Sequence, residues 1–327
     1  FGLSIVIGVI AYIIVPFIRD ILIGLNLDTA AAWMEIPFVR IILALTLIWF
    51  FVYINIRGGK FYERTVVPLM FLMFGLGAIV IVAGLIYTPE DFAAAYDFNT
   101  NLKSPKVTFD WQTFLSGAAI LFSSFIGFDA IAQAGGEAKS PTRALPKAIL
   151  LAITTVGLFY FLFTISVYHA IPWWFVAEQA QLKDISAPGL IAPLLPVFLS
   201  VAILFGAAIA LINDLPAMLL SVSRLVFAWS DDGIFPSQIA STHPKYHTPD
   251  KALYLSGIMA SIGVLGSHFA GDFFLGIDIM VTSMMVNFLL MCLTLITISK
   301  VNPSLSSQIK MIRSKKIRYF IGIAGVT

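Results

Sequence analysis

Long runs of apolar residues alternate with short polar segments along the whole chain. A helix needs about 20 mainly apolar residues to cross the hydrocarbon core of a bilayer. The pattern therefore predicts an all-α integral membrane protein with a single transmembrane domain, residues 1–327, of eight spans and the start of a ninth. The predicted spans cover residues 1–18, 37–56, 65–87, 111–136, 148–177, 185–223, 252–271 and 273–299, and the ninth begins near residue 319.

The composition supports this assignment. Hydrophobic residues make up 59% of the chain and charged residues 12%, about half the charged share of a soluble domain. The net charge of +2 is too small to indicate a nucleic-acid partner, and a single cysteine, Cys292, excludes an internal disulfide. The four histidines lack metal-site spacing, and no cofactor is expected. Both ends of the chain lie inside apolar runs without a basic leader, so we expect a fragment of a longer protein.

Basic residues are distributed unevenly between the two sets of connections that alternate along the predicted spans. One set holds 15 of the 20 lysines and arginines and the other holds 5. The basic set comprises Arg57, Lys60, Arg64, Lys139, Arg143, Lys147, Arg224, Lys245, Lys251, Lys300, Lys310, Arg313, Lys315, Lys316 and Arg318. Because cytoplasmic loops carry the excess of lysine and arginine, we predict a multi-pass protein of the cell membrane with these basic loops in the cytoplasm.

The fourth predicted span contains an unusual polar stretch. Its segment Phe122-Ser123-Ser124-Phe125-Ile126-Gly127-Phe128-Asp129 places two serines, a glycine and a carboxylate inside an apolar run. Non-helical backbone is tolerated at membrane depth only where it is buried in protein or lines a cavity. We therefore predict a discontinuous helix over residues 111–136. The alternative is a continuous helix that uses serine and glycine for close packing.

Asp129 is the only charged residue of this span. A carboxylate within the bilayer costs about 2.5–3.5 kcal/mol on insertion scales. Asp129 is therefore expected to face the interior of the helix bundle, either protonated or paired. Two roles remain open for it: relaying protons or binding an amine, and accepting hydrogen bonds from backbone amides freed by the break.

A second polar site is predicted at Asn213-Asp214-Leu215-Pro216, well inside the sixth apolar run. Pro216 has no N–H to donate, so the carbonyl of Ile212 is expected to be free. That carbonyl, the Asn213 amide oxygen and the Asp214 carboxylate are hard oxygen ligands that suit a small cation. The segment therefore predicts a cation or proton site, and the alternative is a proline kink whose polar neighbours satisfy one another.

Four segments of the chain resemble signatures of the amino acid–polyamine–organocation (APC) permeases. They are Phe125–Ala130 with Glu137–Pro146, Asn55–Gly58, Ser223–Leu225 with Asp232–Pro236, and His243–Pro249. The resemblance implies a five-plus-five inverted-repeat, LeuT-like transporter fold that lacks its first two helices and runs from the third helix to the eleventh. The absent first helix of such proteins holds the substrate carboxylate.

The resemblance also implies roles for individual residues. The unwound backbone of Ser123–Gly127 would receive a substrate ammonium group, with Phe122 or Phe125 as a candidate gate. Asn213 and Asp214 fall about where sodium-coupled relatives bind their ion, and Met218, one turn further on, would face the substrate cavity.

The resemblance predicts a secondary active transporter, and not an enzyme, that moves amino acids or related amines across the membrane by alternating access with H⁺ or Na⁺ coupling. Two alternatives stay open: a membrane amino-acid sensor that does not transport, and an uncoupled amino-acid exchanger. The sequence does not indicate an oligomeric state.

Overall fold

The computed structural model describes residues 2–96, 108–125, 127–133, 135, 140–182, 186–270, 273–307, 309, 312 and 314–326. Within these ranges the secondary structure consists of α-helices and 3-10 helices, with no β-strand. The predicted all-α membrane class is confirmed.

Seven of the described helices are long and apolar enough to cross a membrane. They are α1 Gly2–Gly24, α3 Pro37–Ile56, α4 Gly59–Ile86, α8 Pro141–Ala170, α11 Val197–Asp231, α12 Asp250–Ala270 and α13 Phe273–Val301.

Shorter helices connect or interrupt these seven. They are α2 Asp28–Glu35, α5 Pro89–Ala95, α6 Trp111–Phe122, α7 Ala130–Gln133, α9 Trp173–Leu182, α10 Ala187–Ile191, α14 Pro303–Ser307 and α15 Lys315–Ala324, together with 3-10 helices at Ser123–Phe125, Ala192–Leu194 and Ser237–Ala240.

Several span boundaries differ from the sequence prediction, and proline explains two of them. The sixth span begins at Val197 instead of residue 185, because Pro188, Pro193 and Pro196 divide the preceding apolar residues into α10 and a 3-10 helix. The fifth span ends at Ala170, because Pro172 follows it and α9 begins as a separate helix. Apolar composition alone cannot distinguish one long helix from two short ones.

The chain divides into two compact units, and one of the boundaries between them lies inside α8. Unit 1 is formed mainly by residues 3–110 and 156–271, and unit 2 mainly by residues 111–155 and 272–327. In unit 1 one buried apolar cluster joins α1, α3, α11 and α12. A second cluster joins α4, α5, α9, α10, the end of α8 and the start of α11.

Glycines bring α1 and α12 of unit 1 into close contact. A Cβ atom added to Gly8 would lie 2.6 Å from the backbone nitrogen of Val264 and still closer to the carbonyl oxygen of Ala260. A Cβ atom on Gly263 would likewise meet the carbonyl oxygen of Ile5. Small residues commonly allow membrane helices to approach in this way, so the α1–α12 distance depends on the absence of side chains at these positions.

Gly8→Ala is therefore expected to lower the free energy of unfolding by about 1–3 kcal/mol, because the methyl group must push two backbones apart. The measurement is thermal unfolding of the purified intact protein in detergent. Gly75→Ala in α4 is the matched control, since a Cβ atom there has no neighbour within 4 Å. Equal midpoints for the two variants would contradict the expected effect.

Candidate functional site

The helix that begins at Trp111 is interrupted in the polar stretch of the fourth predicted span. The α-helix α6 ends at Phe122, residues 123–125 form a 3-10 helix, a turn covers residues 127–129, and α7 begins at Ala130. Ile126, one of the predicted substrate-binding residues, lies outside the described residues. The backbone at residues 123–125 and 127–129 thus does not follow the continuous α-helix of the alternative interpretation.

Gly127 supplies a backbone conformation that residues with side chains rarely adopt. Its φ is +124°, and a Cβ atom at this position would have open space around it. Glycine is therefore required here by its backbone conformation and not by crowding. The turn is closed by a hydrogen bond from the backbone N–H of Ala130 to the carbonyl oxygen of Gly127, 3.1 Å.

Asp129 stabilises the same turn. Its Oδ1 atom accepts a hydrogen bond from the backbone N–H of Gly127 at 3.2 Å, and its side chain is half-buried. A carboxylate that accepts backbone N–H bonds in this way satisfies amides that the helix has released. This contact corresponds to the structural alternative for Asp129, and a role in proton or amine binding stays a prediction.

An aromatic residue of α13 contacts both sides of the break. The ring of Phe128 stacks on Phe288 with centroids 5.4 Å apart, and Phe122 meets Phe288 edge to face at 6.0 Å. Phe288 thus holds the last turn of α6 and the turn before α7 against one helix of unit 2. This contact is not visible in the sequence, because nothing in the chain distinguishes Phe288 from the other 27 phenylalanines.

The other residues predicted for substrate binding at the break differ in exposure. Ser124 is exposed and Phe125 is half-buried. The side chain of Ser123 lies outside the described part of the structure.

The second predicted site lies at the middle of α11, in unit 1. Asp214 is 17 residues from each end of this helix, or about 25 Å at 1.5 Å per residue. Pro216 is inside the helix and leaves the carbonyl of Ile212 without its usual intrahelical donor. Polar groups therefore concentrate at the centre of a helix whose ends could lie at the two membrane surfaces.

Asn213 is buried and incompletely satisfied. Its side chain is 9% exposed, and its Oδ1 atom accepts no hydrogen bond from any described residue. Leu215 and Leu219 of the same helix are fully buried in the cluster with α1, α3 and α12. An unpaired buried acceptor costs about 1–3 kcal/mol, so this oxygen is well suited to a ligand that supplies a positive charge or a donor.

A polar contact from α3 supports the proline segment. Asn55 is 5% exposed, and its Nδ2 atom donates to the carbonyl of Pro216 at 3.3 Å and to that of Phe51 at 2.9 Å. This side chain therefore ties α3 to α11 at the residue that perturbs the helix. Sequence analysis used Asn55 only as part of a family signature, although an isolated amide near the end of an apolar run was a visible signal.

Asp214 points away from the core that buries Asn213, because successive helical residues are about 100° apart. Its side chain is exposed in this chain, and among the described residues it has no hydrogen bond or ion pair. Tyr160 of α8 lies within electrostatic range of its carboxylate. An unpaired carboxylate at the middle of a spanning helix must be covered by protein, protonated or neutralised by a cation in the bilayer.

Met218 and Ile212 are half-buried and pack against the cluster that joins α1, α3, α11 and α12. For Met218 this contact is structural, and its predicted place in a substrate cavity stays a prediction. The predicted site residues fall into the two units, with Phe122 to Asp129 in unit 2 and Ile212 to Met218 in unit 1. Asn55 and Tyr160, which also belong to unit 1, are added to the group from Ile212 to Met218.

Comparison with known proteins agrees with the resemblance found in the sequence. The family model described as "Amino acid permease" matches residues 1–327, the whole chain. A branched-chain amino acid permease of Bacillus subtilis is 27% identical over 237 residues, which cover 71% of this chain and 45% of that protein. A methylthioribose transporter of the same organism is 26% identical over 250 residues, or 72% of this chain and 47% of that protein.

Mouse cationic amino acid transporter 4 is 28% identical over 160 residues, which cover 47% of this chain and 24% of that protein. The chain thus matches less than half the length of each of these three relatives. They are permeases and transporters, not enzymes. The family match over the full chain and the seven apolar helices identify a multi-pass membrane protein, and the chain belongs to the amino acid permease family of the APC superfamily.

Proposed function

We propose that the intact protein carries amino acids or related amines across the cell membrane by alternating access. The observation that carries this proposal is the interruption of the helix between Phe122 and Ala130, in a chain of the amino acid permease family. Transporters of the five-plus-five inverted-repeat fold, which we propose for this protein, bind substrate at discontinuous helices near the membrane midplane.

The break has the chemistry that an amino acid requires. The backbone of Ser123–Gly127 would receive the substrate ammonium group, and the two serine hydroxyls would add further polar contacts. Phe122 and Phe125 would flank the site, and Met218 would contact the substrate side chain. The polarizable thioether of methionine adapts to apolar groups of different shape, so a neutral or apolar side chain is the expected specificity.

The centre of α11 is proposed to couple transport to an ion. The unsatisfied Oδ1 of Asn213, the Ile212 carbonyl and the Asp214 carboxylate are oxygen ligands of the kind that bind Na⁺, and Asp214 is the group that would take up a proton. Either ion would neutralise a carboxylate that is costly to leave charged in the membrane. The basic connections are proposed to lie in the cytoplasm.

Uptake by the reconstituted intact protein tests this function. Proteoliposomes would receive labelled leucine, labelled lysine or labelled methylthioribose under a pH gradient, a sodium gradient or no gradient. The expected result is accumulation of an amino acid above the external concentration with one of the two gradients and not without it. The three substrates represent the classes named for the relatives.

Three results would contradict parts of the proposal. Uptake that ignores both gradients would indicate an uncoupled exchanger and remove the coupling role of α11. Saturable amino-acid binding without movement would indicate a sensor. Uptake of methylthioribose alone would replace the substrate class and leave the transport function in place.

A further inference from the structure

A cavity of about 530 Å³ with both polar and apolar lining lies in unit 2, at the C-terminal end of α13. Three hydroxyls and two cationic side chains line it, from Ser299, Ser306, Ser307, Lys315 and Arg318. No carboxylate is among the described residues that line it. None of these lining residues belongs to the helix break or to the centre of α11, and the proposed function makes no use of the cavity.

Arg318 is the central group of this cavity. Its side chain is 4% exposed, and Nη1 donates to the carbonyl oxygen of Ser306 at 3.1 Å and to Oγ of Ser306 at 2.9 Å. The Nε atom is buried and donates to no described residue. Within the described ranges, neither Arg318 nor Lys315 forms an ion pair with a carboxylate. A buried charge is normally paired, so a buried guanidinium with no carboxylate partner among the described residues is suited to bind an anion.

Packing of α15 against α13 keeps Arg318 in this position. Arg318 and Gly322 are buried on the same face of α15, one turn apart. A Cβ atom added to Gly322 would lie 3.2 Å from the carbonyl oxygen of Cys292 in α13. The close approach of the two helices thus directs Arg318 inward toward α14, although an arginine near a helix end could otherwise extend into water.

The first turn of α15 carries charges of the wrong sign for an isolated helix. Lys315, Lys316 and Arg318 all lie there, and Ser314 at the N-cap position makes no capping hydrogen bond. The N-terminus of a helix has a partial positive charge and favours anions. Three cations at this end repel the helix dipole, and a bound anion would remove that repulsion while accepting hydrogen bonds from free backbone N–H groups.

The serine hydroxyls complete a set of donors. Oγ of Ser299 and Oγ of Ser306 are 3.1 Å apart, so one of these hydroxyls donates to the other and the second keeps its proton for a ligand. Oγ of Ser307 donates to the carbonyl of Ser304 at 2.6 Å and is not part of this set. Hydroxyls, a guanidinium and an ammonium group together match the several acceptor oxygens of a phosphate.

We propose that this cavity binds a phosphate-class anion through Lys315, Arg318 and the hydroxyl groups of Ser299 and Ser306. Two sources share this chemistry: the headgroup of an anionic phospholipid and a soluble phosphate. The cavity adjoins the end of a helix long enough to span the bilayer, which is the level at which lipid headgroups lie.

Binding to the purified, delipidated intact protein in an uncharged detergent tests the proposal. One arm titrates radiolabelled inorganic phosphate, and the other titrates labelled phosphatidylglycerol, with an uncharged glycolipid as the reference lipid. The expected result is saturable binding of at least one probe at one site per chain. Lys315→Gln is expected to weaken that binding about tenfold, the loss of one hydrogen bond to a charged group.

Lys316→Gln is the matched control, because Lys316 has the same charge and the neighbouring position but does not line the cavity. It is expected to change the affinity less than about twofold, since an exposed charge outside the site contributes little. Arg318→Gln is a second test of the same site. If this substitution of a buried residue prevents folding, Lys315→Gln still tests the proposal, because Lys315 is exposed.

The outcomes distinguish a phospholipid headgroup from a soluble phosphate as the bound anion, and they also show whether the proposal fails. Saturable binding of phosphatidylglycerol alone assigns a lipid headgroup, and binding of inorganic phosphate, with or without lipid, assigns a site open to soluble anions. Absence of saturable binding in both arms would overturn the proposal. Equal loss in Lys315→Gln and Lys316→Gln would also overturn it, because it would indicate a diffuse basic surface.

Discussion

Asp214→Asn is expected to reduce gradient-driven accumulation of substrate at least tenfold, to the level measured without a gradient. The substitution keeps the shape of the side chain but removes the charge at the middle of α11. Asn213 would retain its unsatisfied oxygen, but the site would lose the carboxylate that binds a proton or balances Na⁺. A tenfold change corresponds to about 1.4 kcal/mol, which is modest for the loss of a charged ligand in a membrane.

Asp231→Asn provides the matched control, because Asp231 is an exposed carboxylate at the end of the same helix. It is expected to leave accumulation within about twofold of the wild type, as for other exposed charges. Both variants would be reconstituted at equal density and assayed with the gradient that drives the wild type. If Asp214→Asn retains accumulation, the carboxylate has a structural role and the coupling site lies at other residues.

Gly127→Ala is expected to weaken substrate binding about 5- to 150-fold. Alanine at φ +124° carries about 1–3 kcal/mol of backbone strain. The chain can relieve this strain only by changing the turn that presents the backbone carbonyls. The measurement is equilibrium binding of labelled substrate to the detergent-purified intact protein, together with its thermal unfolding midpoint.

Gly117→Ala is the control for that substitution. Gly117 lies in α6 of the same segment with helical backbone, and a Cβ atom there has no neighbour within 4 Å. Alanine is about 0.5–1 kcal/mol more favourable than glycine in a helix, so this variant is expected to bind substrate normally and to unfold no earlier. Wild-type affinity in Gly127→Ala would contradict a substrate role for the break.

The helix break and the centre of α11 illustrate how much of the candidate site could be predicted. Both were visible in the sequence because glycine, proline and carboxylates are rare within apolar spans and have direct consequences for backbone hydrogen bonding. The partners of these groups were not visible. Phe288 and Asn55 contact the two segments from 160 and 161 residues away in the chain, and no local pattern encodes such a pairing.

The burial of Arg318 also could not be predicted from the sequence. In the sequence it is one of several basic residues of a loop expected in the cytoplasm, where positive charge serves orientation. Its burial depends on Gly322 and on the turn of α14 that brings the Ser306 carbonyl to its guanidinium. The pattern of charges along the chain shows that a residue is basic, but it does not show whether that residue is buried or exposed to solvent in the folded protein.

The sequence by itself determined the membrane class, the positions of most spans, the family and the helix break after Phe122, because each depends on the hydrophobicity or backbone chemistry of neighbouring residues. Only the tertiary structure decided that Gly8 and Gly263 bring α1 against α12, that Asn213 is buried while Asp214 is exposed, and that Arg318 lies in a cavity. These features depend on which helix faces meet, and that choice is made by packing among distant segments instead of by any one of them.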